Sequence, residues 1–227
     1  MYRTNRPRLL WLLPTLVALN AFAMDARVSG NQLILSGGIS GNELALMRDI
    51  LPANPQIDTV VLKDSAGGDV WTALRLGELF QERGFKTAVS GYCMSACVVM
   101  FLGGVERMFA DGKEGRYTQI AIHTPTYSAE GALRSQGDPH AASRQQMLYA
   151  MTPRIKDVAL LERGLSNSNP AAMLYLFDPA RKSRPDGVTV FRCNGTEKRK
   201  VADCELIPGK DAFQAGFITT MTILQVK

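Results

Sequence analysis

The chain has 227 residues, 46% of them hydrophobic and 21% charged, which is the composition of a globular protein with one substantial core. Its formal charge is +5, but three of the 26 basic residues, Arg3, Arg6 and Arg8, fall in a segment that we expect to be removed. The remaining 23 basic residues face 21 acidic ones, a net charge of +2. This surplus is too small to predict a nucleic-acid partner.

The first 23 residues predict a secretory signal peptide. The three arginines precede an apolar stretch, Leu9–Leu19, and Ala21-Phe22-Ala23 has the small-x-small pattern of a cleavage site. The apolar stretch is too short to span a bilayer comfortably, so no stable membrane span is expected after cleavage; an uncleaved amphipathic anchor is the alternative. We therefore expect a periplasmic or secreted protein, in a compartment where disulfides persist.

Beyond the signal peptide, apolar runs alternate between strand and helix patterns. Strands are predicted at Val28–Leu35, Ile57–Leu62, Lys86–Ser90 and Gln119–Ile122, and helices at Glu43–Leu51, Asp69–Arg83 and Ala96–Leu102. This alternation indicates an α/β fold with a mainly parallel sheet and right-handed crossovers. No repeat, low-complexity tract or linker interrupts residues 24–227, so a single domain is predicted.

The C-terminal half is predicted to contain further helices and a hairpin. The expected elements are a surface loop at Tyr127–Pro139, a helical stretch at Ala141–Gly164 restarting at Thr152-Pro153, helices at Pro170–Phe177 and Lys210–Gly216, and a last strand at Ile218–Val226. Asn194-Gly195 is a hairpin-turn dipeptide between Cys193 and Cys204. We expect a disulfide to tie this hairpin, within an insertion at residues 181–206.

Ser95 lies where a predicted strand runs into a predicted helix, in Gly91-Tyr92-Cys93-Met94-Ser95-Ala96-Cys97. The first turn of a helix leaves backbone N–H groups unpaired and favours negative charge. A hydroxyl at this position therefore stands next to amides suited to an oxyanion hole. A helix cap is the alternative role for a serine here.

Two further motifs follow neighbouring predicted strands: Gly67-Gly68 and His123. In open α/β folds, the carboxyl edge of the sheet is where ligands and catalytic groups lie. A serine nucleophile needs a base, and His123 is one of two histidines in the chain. Taken singly, the double glycine also fits a tight turn, and His123 fits a structural hydrogen-bonding role.

The order of these motifs resembles that of the Clp protease proteolytic subunit, within the wider crotonase-like superfamily. The similarity covers about Ile34 to Pro125 and is carried by Asp64-Ser65-Ala66-Gly67-Gly68-Asp69-Val70, by the Ser95 segment and by Ile120-Ala121-Ile122-His123-Thr124-Pro125. It implies a crotonase-like fold of repeated β-β-α and βαβ units that assembles into a homo-oligomer. It also implies Ser95 as nucleophile, His123 as general base, and the backbone N–H groups of Gly68 and Ala96 as oxyanion donors.

Three features depart from that family's pattern. No counterpart of the third triad residue follows His123; Asp178 is the best-placed carboxylate, ahead of Asp186 and Asp203. A signal peptide is foreign to a cytosolic protease fed by a chaperone, so no unfoldase partner is implied. Cysteines also flank the serine.

Cys93 and Cys97 are four positions apart, a spacing that brings helical Cα atoms to about 6 Å and so permits a disulfide. We expect a bridge that stiffens the turn carrying Ser95. A redox role is the alternative, although the spacing is longer than in thioredoxin-like motifs. No metal or other cofactor is predicted, because the cysteine spacing matches no structural zinc site and histidines are scarce.

Together these motifs predict an exported serine hydrolase that acts on a peptide or protein substrate by acyl transfer. Ser95, His123 and Asp178 would form the catalytic group, with Gly68 and Ala96 holding the oxyanion. Two other classes stay open: a non-catalytic scaffold or binding protein that keeps the fold, and a thiol–disulfide protein that uses Cys93 and Cys97.

Overall fold

A computed structural model describes residues 24–113, 118–124, 149, 151–166, 169, 171–179, 187–197 and 203–227 of the protein. The predicted signal peptide, the predicted loop at Tyr127–Pro139, most of the predicted helical stretch before Thr152, and Asp186 lie outside the described residues. The fold below refers to the described part of the chain.

Strands and helices alternate up to the third helix, as the apolar pattern predicts. The strands are β1 (Asp25–Ser29), β2 (Gln32–Ser36), β3 (Thr59–Ser65), β4 (Lys86–Met94), β5 (Arg107–Phe109), β6 (Gln119–Ile122), β7 (Met173–Phe177), β8 (Val190–Cys193) and β9 (Glu205–Leu206). The helices are α1 (Glu43–Ala53), α2 (Val70–Glu82), α3 (Ala96–Phe101) and α4 (Val158–Leu165), with a short 3₁₀-helix at Thr152–Arg154. None of the described helices is long and apolar enough to cross a membrane.

The strands form one mixed sheet, in the order β1-β2-β3-β4-β6-β7-β8-β9, with β5 also paired to β4. The pairings β2–β3, β3–β4, β4–β5 and β4–β6 are parallel, whereas β1–β2, β6–β7, β7–β8 and β8–β9 are antiparallel. The predicted α/β class is confirmed. The predicted mainly parallel sheet is not, because the chain adds antiparallel strands at both ends of a parallel centre.

Several predicted elements differ from the observed ones. The single strand at Val28–Leu35 is two strands, because Gly30 turns the chain at φ 61° and the two-residue connection is too short for a parallel crossover. The predicted helix Pro170–Phe177 contains strand β7, whose side chains alternate in burial with a period of two. The cysteine hairpin is part of the main sheet, since β8 and β9 extend it.

The predicted C-terminal helix and strand are also absent from the described residues 210–227, where turns and a single bridge, Ala110 to Leu224, take their place. The Asp211 carboxylate accepts the N–H groups of Phe213 and Gln214 at 2.8 and 2.7 Å. Such a local side-chain bond competes with helix formation.

The main core lies between the sheet and the helices on one of its faces. Alternate strand residues such as Leu33, Leu35, Val60 and Leu62 belong to this core. The intervening residues of β2 to β5 form a second, smaller cluster on the other face, against which Leu224 and Val226 pack. The C-terminal segment therefore covers the open face of the sheet at β2 to β5.

Buried Arg107 on β5 ties this C-terminal segment to the domain. Its guanidinium donates hydrogen bonds of 2.8–3.1 Å to four backbone carbonyls, those of Gly104, Arg154, Gly216 and Phe217. Burial, with the nearby Arg154 charge, lowers the pKa of Arg107 to about 10, so the group stays charged at neutral pH.

Candidate active site

Ser95 is the residue at which β4 turns into α3. Its backbone adopts φ 55° and ψ −126°, a conformation that L residues rarely hold, and only Asp64 shares a positive φ among the described non-glycine residues. The Ser95 N–H donates to the Ala121 carbonyl at 2.9 Å, which keeps the turn attached to β6. The side chain makes no capping bond to α3, so the helix-cap interpretation is wrong.

Disulfides hold this turn and the cysteine hairpin. Cys93 and Cys97 are bridged, with Cα atoms 5.3 Å apart, and both residues are fully buried. Cys193 and Cys204 are bridged with a Cα separation of 4.6 Å. Both predicted disulfides are confirmed, and the first one fastens the end of β4 to the first turn of α3 on either side of Ser95.

The Gly67-Gly68 turn packs directly against Ser95. A Cβ atom on Gly67 would lie 2.9 Å from the Ser95 Cβ and 2.9 Å from the Ala96 nitrogen, and Gly67 holds φ 88°. Only glycine fits both the space and the backbone angle. Neither the Gly68 nor the Ala96 N–H donates a hydrogen bond within the part of the chain that the structure describes. Gly68 is exposed, so its amide is available to a ligand, whereas Ala96 is fully buried and its amide is covered in this structure.

The loop before α1 is hydrogen-bonded to the glycine turn. The Ile39 N–H donates to the Gly67 carbonyl at 2.8 Å, and the Ile39 carbonyl accepts the Asp69 N–H at 3.0 Å. The Asp69 side chain in turn accepts the Thr72 N–H at 2.7 Å and caps α2. The turn is thus fixed between this loop and α2.

His123 follows β6 at the same edge of the sheet as Ser95. Met94 pairs with Ala121 in the parallel β4–β6 register, so the strand spacing and rise put the Ser95 and His123 Cα atoms about 6 Å apart. The His123 Nδ1 lies 2.7 Å from the Thr124 carbonyl oxygen. Because a carbonyl only accepts, Nδ1 carries the proton and Nε2 is left as the basic nitrogen.

The Ser95 hydroxyl forms no hydrogen bond with His123 or any other described residue. Catalytic hydrogen bonds of this kind are often long before a substrate is bound.

Asp178 does not lie behind the His123 ring, and its predicted role is wrong. Strand β7 runs antiparallel to β6, and the Asp178 N–H donates to the Thr118 carbonyl, at the start of β6. His123 follows the other end of that strand, about 17 Å away by strand rise. Of the poorer candidates, Asp203 is exposed beside Cys204 in the hairpin.

Sequence reasoning missed two groups that shape the site: the Thr124 carbonyl, which sets the tautomer of His123, and Ile39, which holds the glycine turn. Both act through the main chain. Because almost any residue type can make a main-chain contact, no sequence motif predicted the role of the Thr124 carbonyl or of Ile39.

A groove runs from the Ser95 turn along the face of the sheet opposite the helices. Its volume is about 860 Å³, and it begins at Ala66 and Met94, each next to a residue of the site. Its floor is formed mainly by apolar and aromatic side chains on alternate positions of β4 and β7, and its far wall by the hairpin turn: Tyr92, Met94, Met173, Tyr175, Gly195 and Glu197.

The charge at the far wall is that of Glu197. Its carboxylate accepts the Asn194 N–H at 2.7 Å, and this and neighbouring backbone N–H groups lower the pKa of Glu197. A second cavity of about 460 Å³ lies between α1 and α2, and none of the residues next to Ser95 lines it. Of these two cavities, the groove is the one lined by neighbours of Gly67 and Ser95, namely Ala66 and Met94.

The described residues include no group of three or more His, Cys, Asp or Glu side chains placed to hold a metal ion. Ser95, His123, the exposed Gly68 amide and the groove are the features that the fold places at this edge of the sheet. No protein-family model matches the chain, and no curated protein is significantly similar to it in sequence.

Proposed function

We propose that the protein is an exported serine hydrolase of the Clp-protease-like, crotonase-like type, and that it cleaves peptide bonds by acyl transfer. The observation that carries this proposal is the strained Ser95 turn, which packs on a glycine turn beside the exposed and unused amide of Gly68. Strain at a serine that caps nothing is more typical of a functional site than of a structural one. The two disulfides are consistent with an oxidising, extracytoplasmic location.

In the proposed mechanism, the Ser95 Oγ attacks the substrate carbonyl carbon while the His123 Nε2 takes the hydroxyl proton. The Gly68 N–H donates to the resulting oxyanion, and the buried Ala96 N–H joins it when the Ser95 turn moves to uncover this amide. His123 then gives its proton to the leaving amine, and a water molecule, activated by the same nitrogen, releases the acyl group from Ser95.

The Thr124 carbonyl takes the orienting role that a carboxylate has in a full triad. It keeps Nε2 unprotonated and fixes the ring, but it is neutral and stabilises an imidazolium less than a carboxylate does. We therefore expect acylation of Ser95 to be slower than in an enzyme with a complete triad.

The groove supports a chain-like substrate. An apolar and aromatic channel that starts beside Ser95 and crosses from β4 to β8 suits an extended peptide better than a small polar ester. Three strand spacings give a length of about 14 Å, which about four extended residues would fill. We propose that the acyl side of the peptide lies there.

Burial disfavours the thiol–disulfide alternative. Cys93 and Cys97 are both fully buried, and thiol exchange requires an accessible sulfur. The non-catalytic scaffold is the stronger rival, because no carboxylate stands behind His123.

A fluorophosphonate probe separates the hydrolase from the scaffold. The processed protein should be labelled on a single residue, Ser95, as mapped by peptide mass spectrometry. Ser95→Ala should abolish labelling and His123→Ala should slow it at least a hundredfold, on the order expected for loss of a general base. Ser29→Ala, on β1 and outside the site, is the matched control and should label normally. Folded wild-type protein that takes no label would establish the scaffold instead.

A further inference from the structure

Glu43, the first residue of α1, is a fully buried carboxylate to which no described residue supplies a counter-charge. It accepts the Ser40 N–H at 2.8 Å, the Gly41 N–H at 2.9 Å, the Ser40 hydroxyl at 3.0 Å and the Met24 N–H at 3.2 Å. Burial raises its pKa, but these donors outweigh burial and lower it, so the group is ionised. No Lys, Arg or His of the described residues pairs with it.

An ionised carboxylate that is buried without a cation is costly, and such groups normally have a partner. Among the donors to Glu43, the backbone nitrogen of Met24 has a special position in the chain. Met24 is the first residue after the predicted cleavage site Ala21-Phe22-Ala23. Its side chain is only 2% exposed and packs into the main core, and β1 begins at the next residue. The Met24 nitrogen is therefore held in place by the buried Met24 side chain and by the strand that follows it.

Signal cleavage changes the chemistry of that nitrogen. At the predicted cleavage site, a signal peptidase would add water across the peptide bond between Ala23 and Met24, leaving a carboxylate on Ala23 and an amine on Met24. The amine, whose ordinary pKa is about 7.7–8.0, takes up a proton and becomes an ammonium at neutral pH.

We propose that Glu43 is the binding site for the α-ammonium group of the processed N-terminus, and that this buried ion pair forms only after the signal peptide is removed. The nitrogen already lies 3.2 Å from the Glu43 Oε1, so charge is added to an existing contact without movement of the chain. Charge-assisted bonds of this kind are shorter and about twice as strong as neutral ones.

The same contact leads to the candidate active site. Glu43 holds the N–H and the hydroxyl of Ser40, and the preceding residue, Ile39, holds the glycine turn through bonds to Gly67 and Asp69. Processing of the N-terminus therefore tightens the loop that positions the Gly68 amide. This second step depends on the proposed hydrolase function, whereas the ion pair does not.

The test inserts one alanine between Ala23 and Met24. The processed protein then keeps every side chain, but its α-ammonium group lies on the added alanine, one residue before the Met24 nitrogen that contacts Glu43. Intact mass confirms the new terminus. We expect a Tm lower by about 5 °C or more, the scale of a broken buried pair in a domain of this size. In Glu43→Gln, the matched background, the same insertion should lower Tm by less than half as much. An equal loss in both backgrounds, or none in the wild type, would overturn the ion pair.

A second measurement avoids the insertion. Reductive methylation at a pH that favours α-amines should modify the Met24 amine of the wild-type protein at least tenfold more slowly than that of Glu43→Gln. Equal rates would also overturn the pair. For the link to the site, fluorophosphonate labelling of the inserted chain should be slower than that of the wild type. Unchanged labelling alongside a lower Tm would remove that link and leave the ion pair in place.

Discussion

Gly67→Ala is the sharpest test of the way the Ser95 turn is built. The added Cβ would lie 2.6 Å from the Met94 carbonyl oxygen and 2.9 Å from both the Ser95 Cβ and the Ala96 nitrogen. These are main-chain and Cβ atoms that cannot swing away. Either the glycine turn or the serine turn must therefore shift.

The expected loss of stability in Gly67→Ala has two parts. A second substitution, Gly84→Ala, measures one of them separately. Gly67 holds φ 88°, and a left-handed conformation costs an alanine about 1–2 kcal/mol. The overlap adds the price of overpacking, about 1–3 kcal/mol. Gly84 holds φ 67° with no atom within 4 Å of its Cβ position, so Gly84→Ala measures the backbone part alone. We expect a loss of about 2–5 kcal/mol for Gly67→Ala and about 1–2 kcal/mol for Gly84→Ala.

Denaturant unfolding measures the stability of both variants, and the fluorophosphonate labelling rate reports the geometry of Ser95. A displacement of about 1 Å at a reacting centre costs about a hundredfold in rate, so Gly67→Ala should label about a hundredfold more slowly at a temperature where it is folded. Gly84→Ala should label at the wild-type rate. Equal stabilities for the two variants, together with normal labelling of Gly67→Ala, would refute the packing of the glycine turn on Ser95.

Three further predictions concern the supports of the fold. Replacing Cys93 and Cys97 together with serine opens a five-residue loop whose closure is worth about 2 kcal/mol and should slow labelling at least tenfold; an unchanged rate would show that packing alone holds the turn. Arg107→Met leaves four carbonyls without their donor and should cost about 3–5 kcal/mol, a fall in Tm of about 6–20 °C; a fall below about 2 °C would contradict the anchoring role. Glu43 has a folded pKa below its ordinary 4.5, so its contribution is present above that pH and lost as the pH falls through the folded value. The stability difference between wild type and Glu43→Gln should therefore shrink in acid, and a difference that does not vary with pH would contradict this.

The sheet shows which elements can be predicted from local sequence patterns and which cannot. The elements from Glu43 to Phe101 follow the predicted order closely, because each strand and helix there is decided by its own apolar periodicity. For Pro170–Phe177 the same reasoning predicted a helix, and this prediction was wrong. The run Met173–Phe177 is apolar at every position, and only its pairing between β6 and β8 makes it a strand.

The sequence by itself determined the spacing of the cysteines, the strand-to-helix turn at Ser95, and the places of the glycine pair and of His123 after apolar strand-like runs, because each depends on residues close together in the chain. Tertiary structure alone decided that Asp178 falls at the far end of β6, that the Thr124 carbonyl orients His123, and that Glu43 meets the Met24 nitrogen. The direction of β7 and the course of the loop before α1 depend on packing between distant segments, and main-chain donors and acceptors are the same for nearly every residue type. For this reason no sequence motif predicts the position of Asp178 or the contacts made by the Thr124 carbonyl and the Met24 nitrogen.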